Sequence, residues 1–476
     1  MSKRIRIDAK MIIAYQEGEH RLLEDGCLVV EGNEVVYVGK EFAGQVDETI
    51  DATDRVVTPG LINTHTHLAS SPLDKSFIED VGSRQFYLSG LPVMLKARSG
   101  AMGQAEREAC VDYSMAELIR TGTTTVMEMG PIGDYVADAA EQAGLRAYIA
   151  DMYASARWIA PDGKRVDYAW DEAAGIAGFK KAVELIERID GRGNSRIKGF
   201  LSPSQVDTCT EELLLMSRKA SDEMQVPLAL HTSQAVFEFQ EMVQRHGMTP
   251  IEWLESIDFL SDWCILGHVM FPAGHSWVNF AGDDLSILVK HEASVAHATW
   301  VFNRRGLALE SLPNYLEAGV NLCLGADTSP QSMIEAMRWA AVVGKIMVRQ
   351  TEKATAADVF NAATLNAAKM LRRDDLGRIG VGAKADLLFW DATSLFMVPL
   401  RDPIKNIVYN AVPEDLQDVM IDGAWVMRQR NLLTIDEQAV SQRLQEAGER
   451  VWAGNSPEMA QNVATLSPQT FASYQL

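Results

Sequence analysis

Two patterns of apolar and polar positions divide the chain. Over roughly the first 58 residues, short segments alternate apolar and polar side chains, as in Cys27–Glu31 and Glu34–Gly39, with Gly32 and Asn33 as a turn between them. After Pro59, apolar strands alternate with helix-length amphipathic segments. The first pattern predicts a small β unit, and the second predicts βα units that build a parallel sheet.

Eight short apolar segments in the second part are predicted to be strands. They are Val57–Ile62, Gly122–Met127, Leu145–Asp151, Ile197–Leu201, Pro227–Leu230, Trp263–Gly267, Ala293–Ala296 and Val320–Gly325. Eight strand–helix units over roughly three hundred residues are typical of an α/β fold of the TIM type, the (β/α)8 barrel. In such barrels, chemistry lies at the carboxyl ends of the strands.

Short strands with glycine-rich turns return near the C-terminus, over residues 377–390 and 419–427. We expect them to pair with the N-terminal β unit and to form a small split β-sandwich beside the barrel. The predicted domains are therefore a β-sandwich from residues 1–58 and 374–430, a (β/α)8 barrel from 59–373, and a C-terminal helical extension from 431–476.

Composition and charge narrow the range of partners. Hydrophobic residues make up 47% of the chain and charged residues 23%, which is ordinary for a globular protein. A formal net charge of −21 argues against nucleic acid and against an anionic membrane surface. A small molecule fits better, and packing of the C-terminal extension on another subunit predicts a homo-oligomer, a dimer or a tetramer.

Cysteine usage and the N-terminus predict the compartment. The five cysteines are scattered, odd in number and free of Cys-x-x-Cys spacing, so they are predicted to be buried, reduced thiols. The N-terminus alternates polar and apolar residues and lacks a signal-peptide core, and no segment has the length of a membrane span. We expect a cytoplasmic protein.

Polar, chemically competent residues follow the predicted strands. His65 and His67 are two positions apart at the end of the first, so both imidazoles can point to one face and converge on a metal ion. Five of the nine histidines lie at or near a strand end, which chance rarely produces. The other residues at strand ends are Glu128, Ser202, His231, His268, His297 and Asp327.

These residues carry a family resemblance over nearly the whole chain. The segment from Pro59 to His67, the Gly122–Val126 strand, His231, His268, Asp327 and the Gly380–Leu388 segment resemble the amidohydrolase superfamily. The resemblance implies metal-dependent hydrolysis on a (β/α)8 barrel flanked by a split β-sandwich. Within the superfamily the chain is similar to the branch of cytosine-type deaminases and s-triazine hydrolases, and more narrowly to phenylurea and thiocarbamate (molinate) hydrolases.

The donor chemistry favours one divalent ion per subunit. Three imidazoles and one carboxylate suit Zn²⁺, with Co²⁺, Fe²⁺ or Mn²⁺ as alternatives, and the ligands are assigned as His65, His67, His231 and Asp327. The resemblance implies that Asp327 also takes a proton from water and passes it to the leaving group. His268 would donate a hydrogen bond to the substrate or to water, or would itself be a ligand.

Two departures from the resemblance bear on the reaction. Relatives in this branch carry a glutamate three residues after the histidine equivalent to His231, and here that residue is Gln234, whose amide cannot move a proton. The aspartate, serine and asparagine pattern of strand eight is replaced by Thr328–Ser332 after Asp327. Both departures favour cleavage of a C–N or C–S bond beside a carbonyl in a neutral urea, carbamate, thiocarbamate or amide.

The alternative is hydrolytic deamination or dechlorination of a nitrogen heterocycle of the cytosine, guanine or s-triazine kind. It needs an acid delivered from another loop. A second metal would need a carboxylated lysine, for which Lys198 is the candidate, and its position before the strand end favours one metal. Glu128 lines the pocket or forms a structural salt bridge.

Loops after the strands are expected to determine specificity. The predicted substrate contacts are Gln234, His297, Arg84, Phe86, Tyr87, Trp300 and Asn303, with Phe77, Gln85, Leu88 and Phe302 in the same loops. Together they would form an aromatic-lined pocket for an uncharged organic substrate. Ordinary packing of loop aromatics remains the alternative for each of them, and His297 equally fits a structural role.

Overall fold

A computed structural model of the chain describes residues 2–75, 91–92, 102–161, 165–310, 312–454 and 471. The strands, numbered in chain order, are β1 Arg4–Gln16, β2 Glu19–Glu31, β3 Glu34–Gly39, β4 Glu48–Pro59, β5 Leu61–Thr66, β6 Thr123–Gly130, β7 Arg146–Asp151, β8 Ala156–Ile159, β9 Asp167–Trp170, β10 Ile197–Gly199, β11 Leu228–Thr232, β12 Cys264–His268, β13 Ser294–His297, β14 Asn321–Leu324, β15 Leu387–Asp391, β16 Leu416–Ile421, β17 Ala424–Arg428 and β18 Asn431–Leu432.

The helices are numbered in the same way. They are α1 Gln104–Arg120, α2 Gly133–Ala143, α3 Glu172–Ile189, the single distorted turn α4 Arg192–Ser195, α5 Glu211–Met224, α6 Val236–His246, α7 Pro250–Ser256, α8 Asp284–Lys290, α9 Thr299–Asn303, α10 Leu312–Ala318, α11 Met333–Val348, α12 Ala356–Ala362, α13 Leu365–Met370, α14 Pro403–Tyr409 and α15 Glu437–Gly454. Two short 3-10 turns cover Ser71–Asp74 and Pro413–Asp415.

Eight parallel strands form two four-stranded sheets, in the order β10-β7-β6-β5 and β11-β12-β13-β14. Isolated parallel bridges connect the sheets at both seams. Leu201 pairs with Leu228 and Gln205 with His231 at one seam, and Thr66 pairs with Asp327 at the other. This arrangement agrees with the predicted mixed α/β architecture, although the ladder of paired strands is interrupted at the two seams.

One buried apolar cluster lies between the two sheets. Each of the eight strands, or the residue directly after it, contributes to it, through Ile62, Met127, Tyr148, Phe200, Ala229, Ile265, Ala296 and Cys323 among others. A much larger cluster fills the space between the strands and the surrounding helices. The strands are therefore buried on both faces, as the continuous apolar segments in the sequence indicate.

The first predicted strand, Val57–Ile62, spans parts of two strands. The chain leaves β4 at Pro59 and begins β5 at Leu61, with Gly60 between them. A Cβ atom on Gly60 would lie 2.0 Å from Oγ1 of Thr124, so only glycine fits this close approach. The break separates a strand of the N-terminal sheet from the strand that carries the histidine pair.

The N- and C-terminal strands join in one eight-stranded sheet, in the order β18-β17-β16-β15-β4-β1-β2-β3. The two terminal segments predicted to form the split sandwich therefore share one continuous sheet. They meet at β4, which pairs with β1 over residues 48–57 and with β15 over residues 55–59. The sheet also includes β18, which lies just beyond the predicted boundary at residue 430.

A buried ion cluster joins this sheet to the parallel strands. Arg146 at the start of β7 is 2% exposed, and its guanidinium donates to Asp386 (Nε to Oδ2, 3.2 Å) and to Asp422 (Nη2 to Oδ1, 3.1 Å). Both carboxylates belong to loops of the eight-stranded sheet. Because burial makes each of these charges costly alone, the three groups depend on one another.

The C-terminal helix α15 packs against α1. Ala447 and Val451 are buried in this contact, and Arg450 donates to Glu106 at 2.8 Å. All five cysteines are buried and free of disulfides, as predicted. No helix in the described ranges is both long and apolar enough to span a membrane.

The Arg146 cluster predicts a large, specific loss of stability. Arg146→Met should lower the free energy of unfolding by about 3–5 kcal/mol, because Asp386 stays buried without its cation and Asp422 is left with Arg196, at 3.8 Å. Arg188→Met is the matched control, since Arg188 and Asp134 pair with side chains that are 51% and 60% exposed, and about 1 kcal/mol or less is expected there. Urea denaturation followed by tryptophan fluorescence measures both, and equal losses would contradict the assignment.

Candidate active site

The predicted metal ligands meet at the carboxyl ends of the parallel strands. His65 lies in β5, His67 directly follows it, His231 lies in β11 and His268 ends β12. Asp327 follows β14 and is tied to the histidine pair by two backbone hydrogen bonds, from its own N to the oxygen of His65 (2.8 Å) and from the N of His67 to its oxygen (2.9 Å).

The ligand atoms converge on one small volume. Nε2 of His67 lies 3.3 Å from Nε2 of His231 and 3.4 Å from Oδ1 of Asp327, and Nε2 of His268 lies 4.0 Å from Oδ2 of Asp327. Donor atoms of His65, His67 and Asp327 lie within 4.8 Å of one another, as do those of His65, His231 and His268. The structure therefore brings His268 into the same cluster as the four assigned ligands.

The orientation of the rings fits a bound cation. Nδ1 of His67 donates to the oxygen of Met129 (2.6 Å), and Nδ1 of His231 donates to the oxygen of Ser204 (2.7 Å). In the neutral rings both Nε2 atoms are then acceptors, so their lone pairs face each other at 3.3 Å. Two lone pairs at this distance repel unless a positive charge lies beside them. Backbone acceptors on the distal nitrogen are also how metal-binding histidines are usually oriented.

His65 gives the second sign of a metal site. It is 2% exposed, and its Nε2 atom has no hydrogen-bond partner among the described residues. Buried polar atoms rarely stay unpaired, so the donor set fits a divalent ion here. Gly267 and Gly325 make room for the ring, because a Cβ at either position would lie 2.7 Å from an atom of His65.

Burial keeps these histidines neutral. It lowers the pKa of His65 and of His268 well below the usual value, and it lowers the pKa of His231 to about 4. Neighbouring imidazoles lower all three further. Neutral imidazole is the form that binds a metal, so the free ligands are ready at neutral pH.

Glu128 lies beside the cluster with an unusual carboxyl group. Its Oε2 accepts hydrogen bonds from Oγ1 of Thr66 and from the N of Leu68, both at 2.8 Å, on either side of His67. Its Oε1 has no hydrogen-bond partner in the described part of the chain. Burial raises the pKa of Glu128 to about 8, so this carboxyl group holds a proton at neutral pH.

A cavity of about 230 Å³ opens onto the cluster. Its wall includes His67, His231, His268, Asp327, Glu128, Gln234 and Phe302, all considered in the sequence, and also Asp74, Arg107, Trp158, Gln205, Arg305 and Thr328. Gln205 and Trp158 follow the fourth and third parallel strands, so inspection of every loop after a strand could have found them. Asp74 lies in the segment after the first parallel strand and could have been found in the same way, whereas Arg107 lies in α1 and carries no such signal.

Gln234 is held in the cavity wall. It is 4% exposed, its side-chain Nε2 donates to Oε1 of Gln205, and its backbone N donates to Glu238 (3.0 Å). The backbone N of Ser233 donates to the same carboxyl group at 2.5 Å. Glu238 thus orders the loop after His231.

Three predicted substrate contacts are not on the wall of this cavity. Helix α9 turns Phe302 toward His268, with ring centroids 4.7 Å apart, while Trp300 packs on Trp339. Trp300 and Asn303 are three positions apart and so share another face of this helix. His297 is 1% exposed and stacks with Phe302 at 6.4 Å.

The remaining predicted site residues lie outside the described part of the chain or away from this cavity. Phe77, Arg84, Gln85, Phe86, Tyr87 and Leu88 lie outside the described residues. Lys198, the candidate for bridging two metals, has its Nζ 3.7 Å from Oδ1 of Asp190 and does not line the cavity. This placement agrees with the expectation of one metal ion.

Comparisons with known proteins identify the family. The amidohydrolase family matches residues 56–426. A 5-methylthioadenosine/S-adenosylhomocysteine deaminase from Thermococcus sibiricus is 30% identical over 410 residues, which cover 84% of this chain and 89% of that protein. A 5'-deoxyadenosine deaminase from Methanosarcina barkeri is 28% identical and covers 90% of this chain and 94% of its own length. The chain belongs to the amidohydrolase family and is a metal-dependent hydrolase of carbon–nitrogen bonds.

Solved structures share the fold. An adenosine deaminase from Xanthomonas campestris with bound zinc has a TM-score of 0.78 and 23% identity, covering 94% of this chain and 98% of its own. An atrazine chlorohydrolase from Arthrobacter aurescens complexed with zinc has a TM-score of 0.79 and 20% identity, covering 93% and 100%. The predicted superfamily and its deaminase and triazine hydrolase branch are confirmed. These names agree better with the heterocycle alternative than with urea or carbamate hydrolysis.

The cluster predicts how metal and activity separate in variants. His67→Ala should lose both, because it removes a ligand, whereas Asp327→Asn should keep more metal than activity, because an amide still offers oxygen but accepts no proton. Metal analysis of protein purified without chelators, together with turnover, measures this. His291→Ala is the control, since His291 pairs with Glu255 away from the cavity. Equal retention of metal and activity in either site variant contradicts the roles.

Proposed function

We propose that this amidohydrolase uses water to cleave a C–N bond at an sp² carbon of a small, uncharged organic molecule. The single observation that carries the proposal is the convergence of four imidazoles and one carboxylate on one small volume beside a cavity. His65, His67, His231 and Asp327 would hold one divalent ion, with zinc as the first choice and Co²⁺, Fe²⁺ or Mn²⁺ as alternatives. Such an ion supplies a Lewis acid that lowers the pKa of water toward neutrality.

The protein side chains then have distinct tasks. Asp327 lies at the centre of the cluster, where its carboxylate accepts a proton from the attacking water and returns it to the leaving nitrogen. Nε2 of His268 lies 4.0 Å from the same carboxylate. Because its pKa is far below neutral, His268 serves as a neutral hydrogen-bond donor to the substrate rather than as a cation.

The first substrate candidate is an aminated nitrogen heterocycle, and the reaction is its hydrolytic deamination. The support is the deaminase names of relatives that span 84–90% of this chain. Attack on such a ring needs an acid for a ring nitrogen, which Gln234 cannot supply. Among the carboxyl groups on the wall, Glu128 fits this task best, because it is protonated at neutral pH and its Oε1 has no hydrogen-bond partner in the described residues.

The second candidate is a urea, carbamate, thiocarbamate or amide, such as a phenylurea or thiocarbamate herbicide. The observation that favours it is the position of Gln234, an amide whose side-chain Nε2 already donates a hydrogen bond to Gln205. A carbonyl oxygen can be polarised directly by His268 or by the bound cation, so no ring acid is required.

A substrate panel separates the two candidates. Metal-loaded protein is offered adenosine, 5'-deoxyadenosine, cytosine, an s-triazine, a phenylurea and a thiocarbamate, and released ammonia, chloride and amine are measured. Turnover confined to ring substrates establishes the first candidate, and turnover confined to ureas or thiocarbamates establishes the second. The His67→Ala protein is the background control, and no turnover of any compound above it contradicts the proposal.

The proton donor can be tested separately. If Glu128 protonates a ring, the rate of ring deamination should fall as pH rises through about 8, because the raised pKa keeps the acid form only below that value. Glu128→Gln should then lower the rate about a hundredfold or more. It should change urea or thiocarbamate hydrolysis little.

Gln234→Glu tests whether a missing acid limits the rate of ring deamination. It restores a carboxyl group to the wall and should raise ring deamination about tenfold or more if a ring acid limits the rate. Gln205→Glu is the matched control, because it adds the same group to the same cavity while its carboxylate can still accept from Nε2 of Gln234. A gain common to both variants contradicts the acid argument, whereas a gain in neither is the result expected if Glu128 already supplies the proton.

A further inference from the structure

A second cavity, of about 480 Å³, lies beside the active-site cavity. Its walls come from the segment after β7, including Met152, Ala154 and Ile159, and from the segment after β10, including Thr208. Backbone hydrogen bonds hold these segments together, among them the N of Ala156 to the oxygen of Thr208 at 2.8 Å. The cavity is therefore part of a hydrogen-bonded scaffold and not a gap between loose loops.

The two cavities are adjacent. Leu91, Met152, Trp158 and Gln205 line both of them. A molecule that reaches from one cavity into the other would pass these shared residues.

Trp158 stands at this boundary in a fixed position. Its Nε1 donates to Oδ2 of Asp207 at 2.7 Å, and its ring contacts Phe237 edge-on with centroids 5.1 Å apart. Tyr168 also donates to Oδ2 of Asp207, at 2.7 Å, which ties the β8–β9 hairpin to the same carboxylate. The indole thus offers a pre-positioned aromatic surface to a ligand.

The rest of the lining is mostly apolar toward a ligand. Met152 and Ile159 are only partly buried, so their side chains have surface left to cover. Two nearby polar groups already have protein partners, since the oxygen of Ser204 accepts from His231 and the amide of Gln205 accepts from Gln234. Arg157 is the charged residue of the lining, and it is exposed, so its guanidinium can stay in water. An apolar group bound here would cover this surface without breaking those hydrogen bonds.

We propose that this second cavity, the arm pocket, binds an uncharged aryl group of the substrate while the reacting carbon lies at the histidine cluster. The substrate is then a two-part molecule with a small polar head and an aromatic arm. This inference rests on the proposed function for the head group only. The arm pocket itself is tested by binding.

The test compares ligands that differ only in the arm. Phenylurea and methylurea form one pair, and N6-phenyladenine and N6-methyladenine form the other, with binding measured by calorimetry on metal-loaded protein. In at least one pair the phenyl compound should bind about tenfold more tightly. Ala154→Phe, which fills the arm pocket, should reduce that ratio to about twofold or less. Ala169→Phe, in the same hairpin but lining neither cavity, should keep the ratio.

A second variant keeps the test decisive if Ala154→Phe does not fold. Trp158→Ala removes the aromatic surface and should also lower the phenyl preference, with metal content and melting temperature as checks of folding. Absence of phenyl preference in both pairs, or its persistence in both Ala154→Phe and Trp158→Ala, overturns the arm pocket. Phenyl preference without hydrolysis of any panel compound would support the arm pocket while contradicting the proposed function.

Discussion

The site depends on the seam where the first and last parallel strands meet. Among the described residues, two backbone hydrogen bonds cross it at the carboxyl end, and both involve Asp327 and the histidine pair. Asp327 adopts a left-handed conformation, with φ of 63°, and Asn63 donates to Gln331 while accepting from the N of Ala326. The seam therefore fixes the one residue that serves both as ligand and as base, and it does so through backbone rather than through side-chain packing.

Burial of several imidazoles beside a carboxylate is costly, and the structure around the site offsets that cost. The rings are held by carbonyl acceptors, by glycines that leave them space, and by a seam that resists movement. The Arg146 cluster adds further support, because its ion pairs join the parallel strands to the eight-stranded sheet. A cluster of metal-binding side chains is destabilising on its own, so it persists only where the surrounding structure determines its position. Such clusters are typical of functional sites.

The sequence predicted most of the parallel strands and the ligand cluster, because strand periodicity and strand-end position are local signals. It could not place Trp300 and Asn303, since the face that a five-residue helix presents depends on tertiary packing. It also placed the first strand across Gly60, where a contact with Thr124 decides the break. Trp158 was missed because a short hairpin, β8–β9, and a carboxylate after β10 determine its position together.

Glu238 organises the loop that carries Gln234. It lies in helix α6, directly after this loop, and its fully buried carboxyl group accepts from the backbone of Ser233 and Gln234. It does not line the cavity. The carboxyl group of Glu238 thus orders the backbone of the loop, while the side chain of Gln234, which faces the cavity, donates to Gln205. Proton transfer to a ring would then have to come from another residue of the wall, such as Glu128 beside His67. The choice of substrate therefore depends on whether that carboxyl group reaches a reacting nitrogen.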